Sequence, residues 1–309
     1  MPLTSLSSML DRARQHGYMI PYTESWNLES LQAVIEAAEE CDSPIISGFN
    51  GGFLRHSLRK VPENLAYYAC FSEALEKARV PVAFLLNESD SLEQMEEAIA
   101  LGFNAVMPEN EGLSLTEYEE LVRKVVRAAR PRGVWVEAQV GSLPTGGAAG
   151  GDGHGEPTDP KQAERFVAAT GIDALAVAVG NVHILTNGKV GLDLDLLRRI
   201  HDRVAIPLVI HGGTGIASES YPGLAEAGVA KINFGTGLKQ AYLEAVQHGV
   251  AEYRRALSPH EFLGMGGPDD VMIAGRGAVK REVVRLITLC GSNGRCKDDH
   301  PTGIRERSN

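Results

Sequence analysis

Two histidines and one glutamate follow apolar runs of this sequence. His183 and His211 lie 28 positions apart, which is about one strand plus one helix, so a βα repeat would place them on neighbouring strands. Glu88 follows a third apolar run, in the stretch FLLNESDS (84–91). One carboxylate and two imidazoles form a ligand set for zinc and similar divalent ions. The sequence therefore predicts a metal site that includes His183 and His211 and takes a carboxylate from another strand end.

Other polar residues also follow apolar runs, and they could bind substrate or transfer protons. They are Glu24, Asn50, Asn87, Glu109, Glu137 and Gln139. An amide such as that of Asn87 cannot act as an acid or base at ordinary pH, so Asn87 is predicted to hydrogen-bond the substrate as a neutral group. Considered without the other strand ends, Asn87 would be interpreted as an ordinary turn residue and Glu88 as a solvated surface carboxylate.

Two glycine-containing turns resemble oxyanion-binding loops. VIHGGTG (209–215) places glycines directly after a strand, and KINFGT (231–236) follows one strand later. Free backbone N–H groups in such turns bind phosphate, and in barrels the loops after strands seven and eight are the recurrent place for it. The predicted phosphate-binding residues are Gly212, Gly213, Thr214, Asn233 and Thr236.

Short apolar runs alternate with amphipathic segments along the chain. Strands are predicted at 18–22, 43–47, 81–86, 104–107, 134–139, 174–179, 206–210 and 230–233, and helices at 28–40, 91–102, 115–129, 159–170, 192–202 and 238–257. Continuously apolar strands indicate a parallel sheet covered on both faces. Eight βα units predict an α/β fold, a single-domain (β/α)₈ TIM barrel. A doubly wound open sheet is the alternative, although no GxGxxG opens the first helix.

Two segments do not fit the repeat. The barrel is predicted to occupy residues 1–290 and to carry a glycine-rich loop at 142–158, which is either a lid or a surface insertion. Residues 291–309 are predicted to form a polar C-terminal tail.

The composition excludes several classes of protein. The net charge of −10 disfavours nucleic acid as a partner. No apolar run reaches the roughly 20 residues of a membrane span, and no signal peptide is apparent. Four scattered cysteines without a CxxC pair indicate a reduced, cytoplasmic protein.

Longer stretches resemble the class II, metal-dependent ketose-bisphosphate aldolases. The similarity covers most of residues 15–290 and includes IPYTESWNLESLQAVIEAAEECDSPII, AIALGFNAVMPEN, VWVEAQVG, IPLVIHGGTGI and GVAKINFGT. The resemblance implies a TIM barrel that binds a divalent metal, most simply zinc, with manganese or cobalt as alternatives. It also implies a homodimer or a larger homo-oligomer.

The third strand departs from the family pattern at the two positions that matter most. The family has His-Leu-Asp-His-Gly there, where the Asp transfers protons and the second His binds zinc, and this chain has LLNES (85–89). The resemblance therefore places Asn87 at the proton-transfer position and Glu88 at a metal position. His183 and His211 match the other two metal histidines.

Other departures concern the substrate. The family's Gly after the strand-six His is Ile184, the second acid of its Glu-x-Glu is Gln139, and its Asp before Thr236 is Gly235. Its strand-one Asn aligns with Glu24. These changes disfavour an ordinary 1,6-bisphosphate sugar as the substrate.

Three functions are compatible with the sequence. The first is a divergent metal-dependent aldehyde-lyase of the class II aldolase type, which acts on a ketose or keto-acid, monophosphorylated or not, through a metal-stabilised enediolate. Glu24 or Glu137 would then take over proton transfer, with Glu109, Asp152 and Glu156 as further carboxylates available for it. The second is a metal-dependent sugar isomerase or epimerase. The third is a non-catalytic supporting subunit of an aldolase.

Overall fold

Eight parallel strands form a closed barrel. The computed structural model describes residues 3–144, 155–185, 187–254 and 258–296. The strands are β1 Ile20–Glu24, β2 Ile45–Asn50, β3 Val82–Ser89, β4 Ala105–Pro108, β5 Trp135–Val140, β6 Ala174–Val177, β7 Leu208–Ile210 and β8 Val229–Phe234. Each pairs with the next, and β1 also pairs with β8. This closure confirms the predicted (β/α)₈ barrel, and an open sheet is excluded.

Helices surround the barrel, and several begin with a side-chain cap. They are α1 Leu6–His16, α2 Leu28–Glu40, α3 Gly51–Leu54, α4 Leu65–Ala69, α5 Phe71–Leu75, α6 Leu92–Ala100, α7 Leu115–Ala129, α8 Pro160–Thr170, α9 Leu194–His201, α10 Thr236–Glu252, α11 Pro259–Phe262 and α12 Val271–Cys290. Asn27 with Ser30 and Ser114 with Glu117 form capping boxes. The predicted bounds of α2 and α7 agree with the structure because these caps define them.

Alternate residues of each strand serve two different cores. One cluster fills the barrel interior and includes Ile20, Tyr22, Leu85 and Val209. The larger cluster lies between the strands and the surrounding helices. Because both faces of the sheet are covered, every strand residue is buried, and the polar residues near the carboxyl ends are held inside the barrel mouth.

The C-terminal part of the chain packs on the barrel. The sequence patterns did not indicate α12, which lies against α2 and α10. Beyond it, Gly294 N donates to Cys41 O at 2.8 Å, and Ser43 Oγ lies 2.9 Å from the buried Ser292 Oγ. The first six residues of the predicted tail are therefore docked, and 297–309 lie outside the described residues.

Two further predictions can be located only in part. Residues 145–154 of the glycine-rich loop, including Asp152, lie outside the described residues. Among those that are described, no helix is long and apolar enough to span a bilayer.

Candidate functional site

The polar residues predicted from the strand ends gather at the carboxyl end of the barrel. Two adjoining cavities of about 980 and 250 Å³ open there, and Asn50, Glu88, His183 and His211 line both. The smaller one, called the inner cavity below, is also lined by Tyr22, Glu24, Asn87, Gly212, Thr214, Asn233 and Thr236. Glu109 and Gln139 line only the larger, outer cavity.

Glu88 is the centre of the site. Its Oε1 lies 3.1 Å from His211 Nδ1 and 3.7 Å from His183 Nε2. Its Oε2 accepts a hydrogen bond from Asn50 Nδ2 at 2.6 Å. Burial would raise the pKa of Glu88, but the hydrogen bond with His211 and the charges of His183 and His211 outweigh burial and lower it to about 2. Glu88 is therefore a carboxylate at any physiological pH.

An irregularity in β3 places both Asn87 and Glu88 at the cavity. In a regular strand, neighbouring side chains point to opposite faces, so one of the two would face away from it. Here the register against β4 shifts between Leu86 and Ser89, and Glu88 has a φ of +51°. Both side chains are buried, with exposures of 3% and 8%. A positive φ at a non-glycine residue is strained, and such strain concentrates at functional sites.

His211 is held from behind by a buried polar network. Glu137 Oε1 lies 2.9 Å from His211 Nε2, and Lys231 Nζ donates to Glu137 Oε2 at 2.7 Å. Lys231 also donates to Asn233 Oδ1 at 2.6 Å, and Asn233 Nδ2 lies 3.0 Å from the same His211 nitrogen. This network fixes the ring and directs Nδ1 towards Glu88.

Glu137 is not placed to exchange a proton with a molecule in either cavity. Both of its carboxylate oxygens are engaged, it is 1% exposed, and it lines neither cavity. Burial would raise the pKa of Glu137, but the Lys231 charge and the His211 hydrogen bond lower it. Glu137 therefore orients His211, and of the two predicted proton-transfer residues only Glu24 reaches the inner cavity.

The donor set around Glu88 suits a divalent metal ion. A carboxylate behind an imidazole is the usual way in which a ligating histidine is oriented. Ligand atoms of a tetrahedral zinc lie roughly 3.3 Å apart, and the distances of 3.1 and 3.7 Å from Glu88 Oε1 bracket that separation. As the side chains stand, no three His, Cys, Asp or Glu residues in the described part of the chain form a complete ligand set. The His183 side chain is 34% exposed, so its ring is free to complete one.

Without a metal, a proton occupies this position. Burial would lower the pKa of His211, but its hydrogen bonds with Glu137 and Glu88 raise the pKa to about 9. His211 is then an imidazolium between two carboxylates.

Glu24 also lines the inner cavity. It forms an ion pair with Lys239, whose ammonium is 4.4 Å from the centre of the Phe53 ring. Burial raises the pKa of Glu24, although Lys239 partly offsets this effect. Glu24 is thus a cavity carboxyl group that binds a proton more readily than an ordinary glutamate does.

Glu24 also crowds the position of Gly235. A Cβ at Gly235 would lie 2.6 Å from Glu24 Oε2. The carboxyl group supplied by β1 therefore occupies the space that a side chain at 235 would fill.

We expect Gly235→Ala to displace Glu24 from Lys239 and to lower the free energy of unfolding by about 1 kcal/mol. In a Glu24→Ala background the same change should cost much less, because the obstructing carboxylate is absent. Urea unfolding of the four proteins of this double-mutant cycle measures the coupling. Equal costs in both backgrounds would show that the two residues do not compete for space.

Four of the five predicted phosphate residues, Gly212, Thr214, Asn233 and Thr236, line the inner cavity, and Gly213 lines neither cavity. Gly212 has a φ of +70°, and a Cβ there would lie 2.1 Å from Val182 O, so only glycine fits this turn. Thr214 Oγ1 accepts from Gly237 N at 3.1 Å in the first turn of α10. The N-cap of α10 is Gly235, which supplies no side-chain cap. A helix N-terminus with Lys239 beside it favours an anion.

Some residues of the site were missed in the sequence. Lys231 stands within the predicted strand AKIN (230–233), and a charged residue inside a strand was the available signal for it. Lys239 lies on a predicted helix, and nothing in the sequence around it indicated that it belongs to the site. Tyr22 looked like one more apolar strand residue. Ile184, already noted at the position where the resembling family has glycine, was not missed: it has a φ of +53° and lines both cavities.

The chain is similar to aldolases over nearly its whole length. Residues 4–295 match the family described as Fructose-bisphosphate aldolase class-II. It is 32% identical to a fructose-bisphosphate aldolase of Staphylococcus epidermidis over 305 residues, covering 96% of this chain and 100% of that protein. It is 33% identical to one from Geobacillus stearothermophilus over 307 residues, covering 96% and 99%.

Solved structures agree with the sequence relatives. The YdjI aldolase of Escherichia coli K12 superposes with a TM-score of 0.77 at 30% identity, covering 96% of this chain and 100% of that one. A putative fructose-1,6-bisphosphate aldolase of Coccidioides immitis gives 0.77 at 25% identity, covering 95% and 98%. Together with the barrel and its rim, these matches show that the chain belongs to the class II fructose-bisphosphate aldolase family.

Proposed function

We propose that the protein is a divalent-metal-dependent lyase, which cleaves or forms a carbon–carbon bond in a small ketose or keto-acid. The observation that carries the proposal is the convergence of Glu88, His183 and His211 at the barrel mouth, with His211 oriented by a buried carboxylate. Relatives named as aldolases support the same reaction class.

Glu88, His183 and His211 would hold the metal. Glutamate with two histidines is a zinc ligand set that also accepts manganese or cobalt. When bound, such an ion supplies Lewis-acid polarisation of substrate oxygens. Asn50, through its hydrogen bond to Glu88, fixes the orientation of the carboxylate.

Proton transfer to and from the substrate is assigned to side chains of the protein. Asn87 stands where the resembling family has its proton-transfer Asp, and an amide cannot do this work. Glu24 lines the inner cavity and has a raised pKa, so we assign it the role of proton acceptor and donor. Lys239 would stabilise the charge that Glu24 acquires when it loses its proton.

One anionic group of the substrate would bind between the Gly212 turn and the start of α10. Lys239 contributes positive charge there, while the carboxylates Glu24, Glu88 and Glu109 repel a second anion nearby. A monophosphate or a carboxylate fits this balance better than a bisphosphate.

The test is nuclear magnetic resonance in D₂O of zinc-loaded protein with a panel of ketoses, ketose monophosphates and keto-acids. Cleavage into two carbonyl products, or condensation in the reverse direction, supports the lyase. Glu24→Gln should suppress both. Deuterium incorporation or epimerisation without fragmentation would instead support the isomerase or epimerase, for which the loss of the Asp at position 87 is the favouring observation.

Metal content separates these enzymes from a supporting subunit. Roughly one transition metal per chain in protein purified without chelator or histidine tag supports an enzyme. Protein that takes up neither zinc, manganese nor cobalt would support the non-catalytic alternative. The predicted homodimer or larger assembly is tested separately by light scattering.

A further inference from the structure

Two buried polar atoms of the inner cavity have no hydrogen-bond partner among the described residues. They are the hydroxyl of Tyr22 and the side-chain oxygen of Asn87. Tyr22 is 1% exposed and Asn87 is 3% exposed, so bulk water does not satisfy them. Buried polar atoms are nearly always paired, and an unpaired one destabilises the folded state.

Both atoms belong to residues that line the same 250 Å³ inner cavity. Tyr22 is part of the core cluster inside the barrel, and the Lys231 ammonium lies 5.0 Å from the centre of its ring. Asn87 precedes Glu88 on β3. Tyr22 and Asn87 therefore belong to the wall of the cavity that the metal residues and Gly212 also line.

We propose that Tyr22 and Asn87 form a subsite for an uncharged hydroxyl group of the substrate, with Tyr22 donating a hydrogen bond to it and Asn87 accepting one from it. The proposal rests on the proposed function, because it specifies the substrate of the same site. It goes further by assigning a substrate-recognition role to Tyr22, which lies outside the metal cluster.

The charges around the subsite select a neutral group. Burial raises the pKa of Tyr22 well above its usual range, and the nearby carboxylates Glu24, Glu88 and Glu137 raise it further. The phenol therefore remains a donor, and the same carboxylates repel an anion. A hydroxyl can accept from Tyr22 and donate to Asn87 at once, whereas a hydrogen atom at this position leaves both unpaired.

Two probes that differ by one hydroxyl test the subsite. They are dihydroxyacetone phosphate and hydroxyacetone phosphate, titrated calorimetrically into the zinc-loaded protein. We expect the first to bind about 10-fold more tightly, the value of one additional set of hydrogen bonds. Tyr22→Phe and Asn87→Ala should each reduce this preference to near unity.

Thermal unfolding without a probe gives a second measurement. Tyr22→Phe removes an unpaired hydroxyl and should leave the Tm unchanged or raise it. The control is Tyr118→Phe, because the Tyr118 hydroxyl donates to Pro108 O at 2.9 Å and accepts from Gln139 N at 3.1 Å. It should lower the Tm by about 2 °C and leave the binding preference intact.

Several outcomes would overturn the subsite. These are equal binding of the two probes, no binding of either, a preference that survives Tyr22→Phe, or a Tm loss in Tyr22→Phe as large as in the control. A retained, Tyr22-dependent preference in a protein that cleaves no carbon–carbon bond would instead refute the lyase and leave the subsite standing.

Discussion

Replacing Glu88 by alanine should weaken metal binding by more than about 100-fold. Loss of an outer residue that only orients a ligand already costs 10–100-fold, and Glu88 is placed to be a ligand itself. Its Oε1 is the atom that both histidines approach, and its backbone is held in a strained conformation that brings the carboxylate to the cavity. Elemental analysis of the purified variant, followed by zinc titration, measures the loss.

Two further variants make this result specific. Glu88→His replaces one ligand type by another, as in the resembling family, and should restore zinc binding. Glu109→Gln is the matched control, because Glu109 lines the outer cavity while its Oε1 accepts from the backbone N–H of Asn110 and Glu111. It should retain the metal. Stoichiometric metal in Glu88→Ala would refute the assignment of Glu88.

Replacing Lys231 by methionine should lower the free energy of unfolding by about 3–5 kcal/mol. Removal of Lys231 leaves the buried cluster of Glu88, Glu137 and the protonated His211 with one uncompensated negative charge. Lys231 is 0% exposed and donates to Glu137 and Asn233, and its ammonium is also near the Tyr22 ring. Guanidinium unfolding of the metal-free protein measures the cost without a contribution from ligand binding.

A second substitution shows whether the charge is the cause. Glu137→Gln in the Lys231→Met background removes the uncompensated carboxylate while retaining a hydrogen-bond partner for His211, so it should recover much of the stability. Lys239→Met is the control, since Lys239 is one-third exposed and its pair with Glu24 is partly solvated. It should cost about 1 kcal/mol or less. Equal costs for the two lysines would contradict the argument.

The eight-strand barrel could be predicted because its signals are local. Apolar runs of four to six residues alternate with amphipathic segments, and each pattern is carried by residues close together in the sequence. The predicted first strand began two residues early, yet it still placed Glu24 at the barrel rim. The C-terminal helix α12 was missed because its apolar residues contact α2 and α10, so its pattern depends on tertiary neighbours.

The sequence indicated which residues would gather at the barrel mouth. It did not indicate which contact each of them would make there. Strand ends converge in any parallel barrel, so the positions of Glu88, His183 and His211 could be inferred from their spacing. The role of Glu137 could not, because its distance from His211 and Lys231 is set by three separate strands. The crowding at Gly235 likewise comes from Glu24, which is more than 200 positions away in the sequence.

The sequence by itself determined the barrel, the edge at which the polar residues gather and the residue types available there, since periodicity and strand order are carried by neighbouring residues. The tertiary structure decided which of those residues line the cavity and which hydrogen-bond to the cavity residues without lining it. A register shift turns Glu88 inward, closure of β1 on β8 brings Glu24 to Lys239, and the barrel interior leaves the Tyr22 hydroxyl unpaired. These features depend on distances between strands that are remote in sequence.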